Sequence, residues 1–200
     1  MAIKVANNQS LTAITSIPAS ITGGAMTLLE TKTASSDATL SFTSDIDDTY
    51  DEYVFKFYDI HPETDAQNFT FQADIGTNTS YNQTMTTTFF RAYQYEDDST
   101  AGLAYHTPSD QAQGTSFQRL AQCGNGNDEC VGGSLHLFNP SSTTFVKHFM
   151  STTNEYHGSD IIQNNFSAGY FNTTTALTRF QFKFASGNID AGVIKLYGIS

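Results

Sequence analysis

Residues 52–60 read EYVFKFYDI, and this stretch decides the fold class. Tyr53, Phe55 and Phe57 alternate with polar or smaller residues such as Lys56. A two-residue period of this kind is typical of a β-strand that buries one face and exposes the other. We therefore predict a half-buried strand here.

The same alternation returns along most of the chain, whereas helical spacing is almost absent. Residues 69–75 (FTFQADI) and 180–184 (FQFKF) repeat the pattern most clearly. Turn residues separate the other candidates at spacings that are typical of β-sandwiches. The further strands that we predict are residues 25–31, 38–43, 86–95, 115–120, 131–138, 143–150, 166–171 and 193–199.

Two short motifs predict the local connections. Residues 139–142 (NPSS) lie between two strand candidates, and Asn followed by Pro favours a type I turn and hence a hairpin. In the segment Thr107-Pro108-Ser109-Asp110, a Thr cap followed by Pro at the first helical position predicts a single helical turn.

Residues 1–25 differ in composition from the rest of the chain. They are rich in Ser, Thr, Ala and Asn, and they carry too little apolar area to pack alone. We expect an extended N-terminal arm that anchors on a partner, with a disordered leader as the alternative, and a β-sandwich domain over residues 26–200. The apolar residues of the arm are Ile3, Val5, Leu11, Ile14, Ile17 and Ile21.

Charge excludes several classes of function. The 200 residues contain 9 Lys plus Arg and 20 Asp plus Glu, and the net charge of -11 argues against binding nucleic acid. No apolar run approaches the roughly 20 residues that span a bilayer, so we expect no membrane insertion. The N-terminus also lacks the features of a signal peptide, so we expect synthesis in the cytoplasm without secretion.

Cys123 and Cys130 bracket a short Gly- and Asn-rich loop. They could close this loop as a disulfide in an oxidising environment, or they could be two partly exposed thiols that flank a hairpin. A zinc site would need four ligands with short paired spacing, and no such set is near in sequence. We therefore predict no metal at this pair.

No motif indicates catalysis, a metal or a cofactor. The acidic runs at residues 45–48 and 96–98 lack the spacing of a calcium loop and suit turns. His106 with Ser109 and Asp110, and His157 with Ser159 and Asp160, match no known nucleophile motif. If the hairpin around residues 139–142 forms, His136 and His148 could approach each other as a pH-sensitive pair. We expect a protein that is not an enzyme.

Several tyrosines are predicted to lie away from the core. Tyrosine rings can stack on the apolar faces of sugars, and neighbouring hydroxyl groups can bond to sugar hydroxyls. A glycan or partner contact is therefore one interpretation, and ordinary strand residues are the other. The tyrosines concerned are Tyr58, Tyr93, Tyr95, Tyr105 and Tyr156.

Several segments resemble virion structural proteins of marine tailed bacteriophages, including cyanophages. The similar segments cover almost the whole chain and carry no catalytic signature. They are the opening MAIKV with SLTAI at 10–14 and IPA at 17–19, YDEYVFKF at 50–57, FNPSS at 138–142, and the ending from FKF at 182–184 through SGNI at 186–189 to IKLYG at 194–198.

The resemblance implies a non-enzymatic bacteriophage structural protein on the virion exterior. Such a protein is made in the host cytoplasm, is released by lysis and must survive outside the cell. An antiparallel β-sandwich of jelly-roll type meets this requirement, and closed homotrimers suit such particles. The arm would bind other virion proteins. We expect a tail fibre or tail appendage for host attachment, with a capsid decoration (cement) protein or a carbohydrate-binding module that contacts host surface glycan as alternatives.

Overall fold

The computed structural model of this chain describes residues 25–199. Within this range the strands form two antiparallel sheets that pack against each other, so the predicted all-β sandwich is confirmed. The strands are β1 (Met26–Thr33), β2 (Leu40–Phe42), β3 (Glu52–Pro62), β4 (Gln67–Ile75), β5 (Met85–Tyr95), β6 (Ala101–Tyr105), β7 (Gln111–Gly114), β8 (Gln118–Cys123), β9 (Val131–Phe138), β10 (Lys147–His157), β11 (Ile161–Phe171), β12 (Leu177–Phe184) and β13 (Ile189–Ile199).

The two sheets differ in size. Sheet A has nine strands in the order β1-β13-β3-β9-β10-β11-β5-β6, with β7 also paired to β5, and sheet B has four in the order β2-β12-β4-β8. Each strand of sheet B is preceded and followed in the chain by strands of sheet A, so the chain passes between the sheets eight times. Beyond β9, sheet A continues through β10, β11, β5 and β6, and we call these four strands the extension.

Phenylalanine rings from both sheets fill the space between them. Phe180, Phe182 and Phe184 of β12 are buried. The ring centroid of Phe182 lies 5.0 Å from that of Phe55 in sheet A and 6.0 Å from that of Phe69 in sheet B. The two-residue period in the sequence therefore separates core residues from outward-facing ones.

The inner face changes character along sheet A. In β10 the buried residue Phe149 is followed on the same face by Ser151, Thr153 and Glu155, all buried. Strand β8, at the edge of sheet B, packs against β10 and β11 at this place. The extension therefore encloses polar side chains, whereas the centre of the sandwich encloses phenylalanines.

Strands β10 and β8 begin three or four residues later than predicted. The predicted turn at residues 139–142 is present, since the N–H of Ser142 donates to the carbonyl of Asn139 (3.2 Å). However, Ser142 Oγ also accepts the N–H groups of Thr144 (3.3 Å) and Phe145 (3.0 Å). These bonds keep the chain in a loop, so β10 begins at Lys147 and not at residue 143.

In the second case, β8 begins at Gln118 and not at residue 115. The carbonyls of Thr115 and Ser116 accept hydrogen bonds from Gln72 Nε2 (3.1 and 3.2 Å), which holds these residues over the outer side of sheet B. Strands β6 and β7 were not predicted.

The predicted helical turn is a short 3-10 helix at Thr107–Ser109. Its cap was predicted incorrectly, because the N-cap is His106 and no side chain caps the turn. Pro108 is therefore the second helical residue. The predicted anchoring arm, with its residues Ile3 to Ile21, lies outside the described residues.

Candidate functional site

The outward-facing side chains of β5, β6, β10 and β11 form a continuous surface that we call the aromatic face. None of its positions carries Lys, Arg, Asp or Glu. Cross-strand pairing in fixed register brings these side chains together. Its large side chains are Phe90, Leu103, Tyr105, Met150, Tyr156, Ile162, Phe166 and Tyr170.

A row of rings crosses the centre of the aromatic face. Phe90 and Phe166 are direct cross-strand partners, and their rings stack with centroids 4.8 Å apart and planes 10° apart. Tyr105 is the partner of Phe90 on its other side. Leu103 is 73% exposed and Met150 is 58% exposed. Apolar area that is clustered in this way marks an interaction surface.

A shallow groove of about 490 Å³ adjoins the aromatic face on the side of β9. Phe138, Met150 and Tyr170 line it together with small residues such as Thr88 and Ala168. The face and the groove therefore form one uncharged surface, in which large apolar side chains lie beside neutral polar ones such as Asn154 and Asn164.

The inner side of the extension holds a buried carboxyl group, Glu155. Its Oε2 accepts the backbone N–H of Gln122 (2.5 Å) and Nδ2 of Asn165 (2.9 Å), while its Oε1 has no hydrogen-bond partner. Burial raises the pKa of Glu155 to about 7, although the positive charge of Arg119 acts in the opposite direction. Glu155 is thus a group that can gain or lose a proton near neutral pH.

Two arginines accompany this carboxyl group. Arg91 Nη1 donates to Gln163 Oε1 (2.7 Å). Arg119 is 9% exposed, and its side-chain hydrogen bonds are two contacts of 3.5 Å, to Ser109 Oγ and Gln122 Oε1. Arg119 also lines a cavity of about 640 Å³ that opens beside β8. The cavity therefore has a buried cation in its wall.

A second, smaller cavity lies at the end of β5. Tyr93, Tyr95, Arg91 and Gln163 line this space of about 140 Å³. The Arg91 guanidinium lies 5.6 Å from the centroid of the Tyr93 ring. A Cβ atom at Gly102, the cross-strand partner of Tyr93, would lie only 2.9 Å from the tyrosine oxygen. Gly102 therefore leaves the room that the ring of Tyr93 occupies.

The five predicted tyrosines do not form one platform. Tyr93 and Tyr95 share the small cavity, with ring centroids 6.4 Å apart. Tyr105 is on the aromatic face and donates to Asp110 Oδ2 (2.6 Å). Tyr156 donates to Asp160. Tyr58 lies on another part of sheet A, where the ammonium of Lys195 stands 5.5 Å from its ring centroid.

The pairing of β9 with β10 does not place His136 and His148 directly opposite each other. His136 lies opposite Met150, and His148 lies opposite Tyr170. His136 Nδ1 is instead 2.6 Å from Glu52 Oε1. The expected histidine pair is therefore replaced by a histidine–carboxylate contact.

His106 and Ser109 contact each other, with Nδ1 2.8 Å from Oγ. The carboxylate of Asp110 accepts the hydroxyl of Tyr105 and does not orient the imidazole. Burial, followed by the charges of Arg119 and Arg91, lowers the pKa of His106. The three residues thus lack the relay geometry of a Ser–His–Asp triad.

Carboxylates from both acidic runs accept backbone N–H groups within turns. Asp47 Oδ1 accepts the N–H of Thr49 (2.8 Å), and Asp97 Oδ1 accepts the N–H of Ser99 (2.9 Å). Hydrogen bonds from Thr49 and Ser99 lower the pKa of these two carboxyl groups. Among residues 25–199, no three His, Cys, Asp or Glu side chains converge as metal ligands would.

Both cysteines are free thiols in this structure. Cys123 is buried, with Sγ 3.6 Å from the carbonyl oxygen of Tyr156, while Cys130 is half-buried with Sγ 4.0 Å from Asp59 Oδ1. The disulfide alternative is therefore not formed, and the other alternative was wrong in expecting Cys123 to be partly exposed. Burial raises the pKa of both thiols, which favours the protonated form.

Two functional features were missed from the sequence: the aromatic face and the cluster of Glu155 with Arg119. A signal existed for the second. Every second residue of a strand lies on the same face, so Glu155 of β10 lies on the same buried face as Phe149. The aromatic face could be recognised only once the order of β10, β11, β5 and β6 was known.

These features describe a β-sandwich protein with an exposed aromatic face on one side and enclosed polar groups on the other. Comparison with protein-family models, with curated proteins and with solved structures finds no match to this chain. In the part of the chain that the structure describes, no helix is long and apolar enough to cross a membrane.

Proposed function

We propose that this protein is a non-enzymatic structural protein of a bacteriophage virion, displayed on the particle exterior as part of a tail fibre or tail appendage. In this proposal it assembles as a closed homotrimer in which the aromatic faces of three copies are turned toward the symmetry axis. The observation that carries the proposal is the aromatic face, an exposed apolar surface without a charged residue.

The strand order supports the jelly-roll part of this proposal. If the extension and β7 are set aside, sheet A reads β1-β13-β3-β9 and sheet B reads β2-β12-β4-β8. Each sheet then has four antiparallel strands, and the chain passes between the sheets in the manner of two interlocked Greek keys. The extension is built from two insertions, β5 to β7 between β4 and β8, and β10 with β11 between β9 and β12.

Charge favours a second copy of this chain as the occupant of the aromatic face. Two copies that each carry a net charge of -11 repel each other. A contact through a face without carboxylates places the negative groups of both copies at the rim, where water and salt screen them. A basic partner would instead be expected to meet acidic residues, which this face lacks.

Replacing Met150 with aspartate should convert the oligomer to monomers. Met150 is 58% exposed, so the monomer should tolerate the change, whereas an interface would bury an unpaired carboxylate. Analytical ultracentrifugation of the full chain would measure the change in mass. Leu28→Asp is the matched control, since Leu28 is 51% exposed on β1 at the far edge of sheet A. A wild-type protein that is monomeric at high concentration would contradict the assembly.

The capsid decoration alternative has the same fold and the same interface. Copy number separates the two, because a cement protein should approach the abundance of the major capsid protein and a fibre should be much rarer. Mass-spectrometric quantification of purified particles would give this number. Absence of the protein from purified particles would contradict both.

The small cavity favours a carbohydrate-binding module as a second candidate function. It combines the ring of Tyr93 with the donors and acceptors of Arg91 and Gln163, which is the chemistry that sugars need. Tyr93→Ala should then abolish binding to glycans that the wild-type protein retains on a glycan array. Tyr58→Ala, on another part of sheet A and outside this cavity, should leave binding unchanged. A wild-type protein that retains no glycan would rule this function out.

A further inference from the structure

The cavity of about 640 Å³ beside β8 combines two cations in an otherwise acidic protein. Arg119 and Lys183 both line it, and the one carboxylate in its wall, Asp110, is already bonded to Tyr105. The ammonium of Lys183 lies 4.2 Å from the ring centroid of Phe117, which holds it at the cavity wall. Two cations and one carboxylate therefore line this cavity, which leaves a net positive charge in its wall.

Arg119 has only weak partners for a buried guanidinium, and one of them is the ring of Phe89, whose centroid lies 5.4 Å away. Its two side-chain hydrogen bonds are both 3.5 Å long, and its Nε has no partner. Arg119 also forms no ion pair within residues 25–199. A buried charge without good partners is costly, and such groups are normally paired or hydrogen-bonded. The cavity is where a missing partner can be accommodated.

Glu155, whose carboxyl group feels the charge of Arg119, balances this charge only in part. Burial raises the pKa of Glu155, which favours its neutral form beside Arg119. Its Oε2 already accepts two other hydrogen bonds, from Gln122 and Asn165. The guanidinium of Arg119 thus keeps positive charge that an external anion can neutralise.

The rest of the cavity wall suits an organic ligand with hydroxyl groups. Its volume lies in the range of ligand pockets for organic molecules. Ser109, Gln111, Ser116 and Asn68 line it, and hydroxyl and amide groups of this kind can exchange hydrogen bonds with the hydroxyl groups of a ligand.

We infer that this cavity binds an acidic sugar, with Arg119 and Lys183 holding its carboxylate or sulfate group and the neighbouring amides and hydroxyls holding its ring hydroxyls. This ligand site is separate from the proposed assembly through the aromatic face. Loss of the oligomer in Met150→Asp, or its persistence, would leave the inference unaffected.

Isothermal titration calorimetry of the full chain at pH 7 and low salt tests the inference with four probes: glucuronate, glucose 6-sulfate, glucose and sodium sulfate. We expect both acidic sugars to bind and glucose not to bind. Lys183→Gln should weaken the binding of the acidic sugars about tenfold or more, because a charge-assisted hydrogen bond is lost. Lys195→Gln, on the outer side of β13 beside Tyr58, removes the same charge elsewhere and should bind as the wild type does.

Arg119→Gln should abolish binding, and Lys183→Gln keeps the test valid if the Arg119 variant does not fold. Three results would overturn the inference. The first is that neither acidic sugar binds. The second is that glucose binds as tightly as glucuronate. The third is that sodium sulfate binds as tightly as glucose 6-sulfate, since the sugar part would then contribute nothing.

Discussion

Replacing Phe182 with alanine should lower the free energy of unfolding by about 3–5 kcal/mol, which is typical for a large aromatic side chain removed from a packed core. Phe182 has an exposed fraction of 0% and lies at the centre of the inner face of sheet B. Five rings from both sheets surround it, and the cavity left behind would have rigid walls. These rings belong to Phe42, Phe55, Phe57, Phe69 and Phe71.

Urea denaturation followed by circular dichroism would measure this loss. Phe145→Ala is the matched control, because Phe145 is 70% exposed on the β9–β10 loop and its removal should change stability by less than about 0.5 kcal/mol. Phe182→Leu keeps much of the volume and should lose less stability, which retains a measurable transition if the alanine variant is unfolded. Equal losses at positions 182 and 145 would show that Phe182 is not part of the core.

The central strands were predictable because a single physical rule governs them. Where a strand lies between the core and water, its side chains must alternate, and Phe180, Phe182 and Phe184 show this directly in the sequence. Strand β9 was predicted to the residue for the same reason. The turn predicted from Asn139 and Pro140 is also present.

Strand β6 could not be predicted, because its sequence AGLAY has little intrinsic strand preference. It is a strand because the edge of β5 offers unpaired backbone groups that residues 101–105 can satisfy. The predicted start of β10 was wrong for a related reason. The hydroxyl of Ser142 accepts backbone N–H groups that a strand would otherwise pair.

The candidate sites depend on contacts between residues that are distant in sequence. Glu155 meets Gln122 across the two sheets, and Phe90 meets Phe166 only because β5 and β11 are neighbours. The tyrosine prediction grouped residues that different strands turn in different directions. Sheet order is therefore the information that the sequence pattern lacked.

Glu155→Gln should make the protein more stable than the wild type at alkaline pH, by up to about 3 kcal/mol, and this gain should vanish near pH 4.5. In the folded protein, burial raises the pKa of Glu155 from 4.5 to about 7. Between these values the folded state holds a proton that the unfolded state has released. The stability of the wild type therefore falls as pH rises through this window, by about 1.4 kcal/mol for each pH unit.

The glutamine variant isolates this effect because its side chain is neutral at every pH. Its carbonyl oxygen can still accept the bonds from Gln122 and Asn165. The other groups near Glu155, namely Arg119 and Cys123 of β8, Arg91 of β5 and His157 of β10, are present in both proteins. Their own titrations contribute to both curves, so the difference between the curves reports the carboxyl group of Glu155.

Urea denaturation of both proteins between pH 4.5 and 8.5 would give this difference. Glu96→Gln, at the exposed turn after β5, removes the same charge and corrects for the lower net charge of the variant. A difference that does not change with pH would contradict the raised pKa. A wild type that gains stability over the variant as pH rises would mean that Arg119 binds the ionised carboxylate firmly, and Arg119 would then have no need of an external anion. The sign of this curve thus determines whether Arg119 is satisfied within the protein.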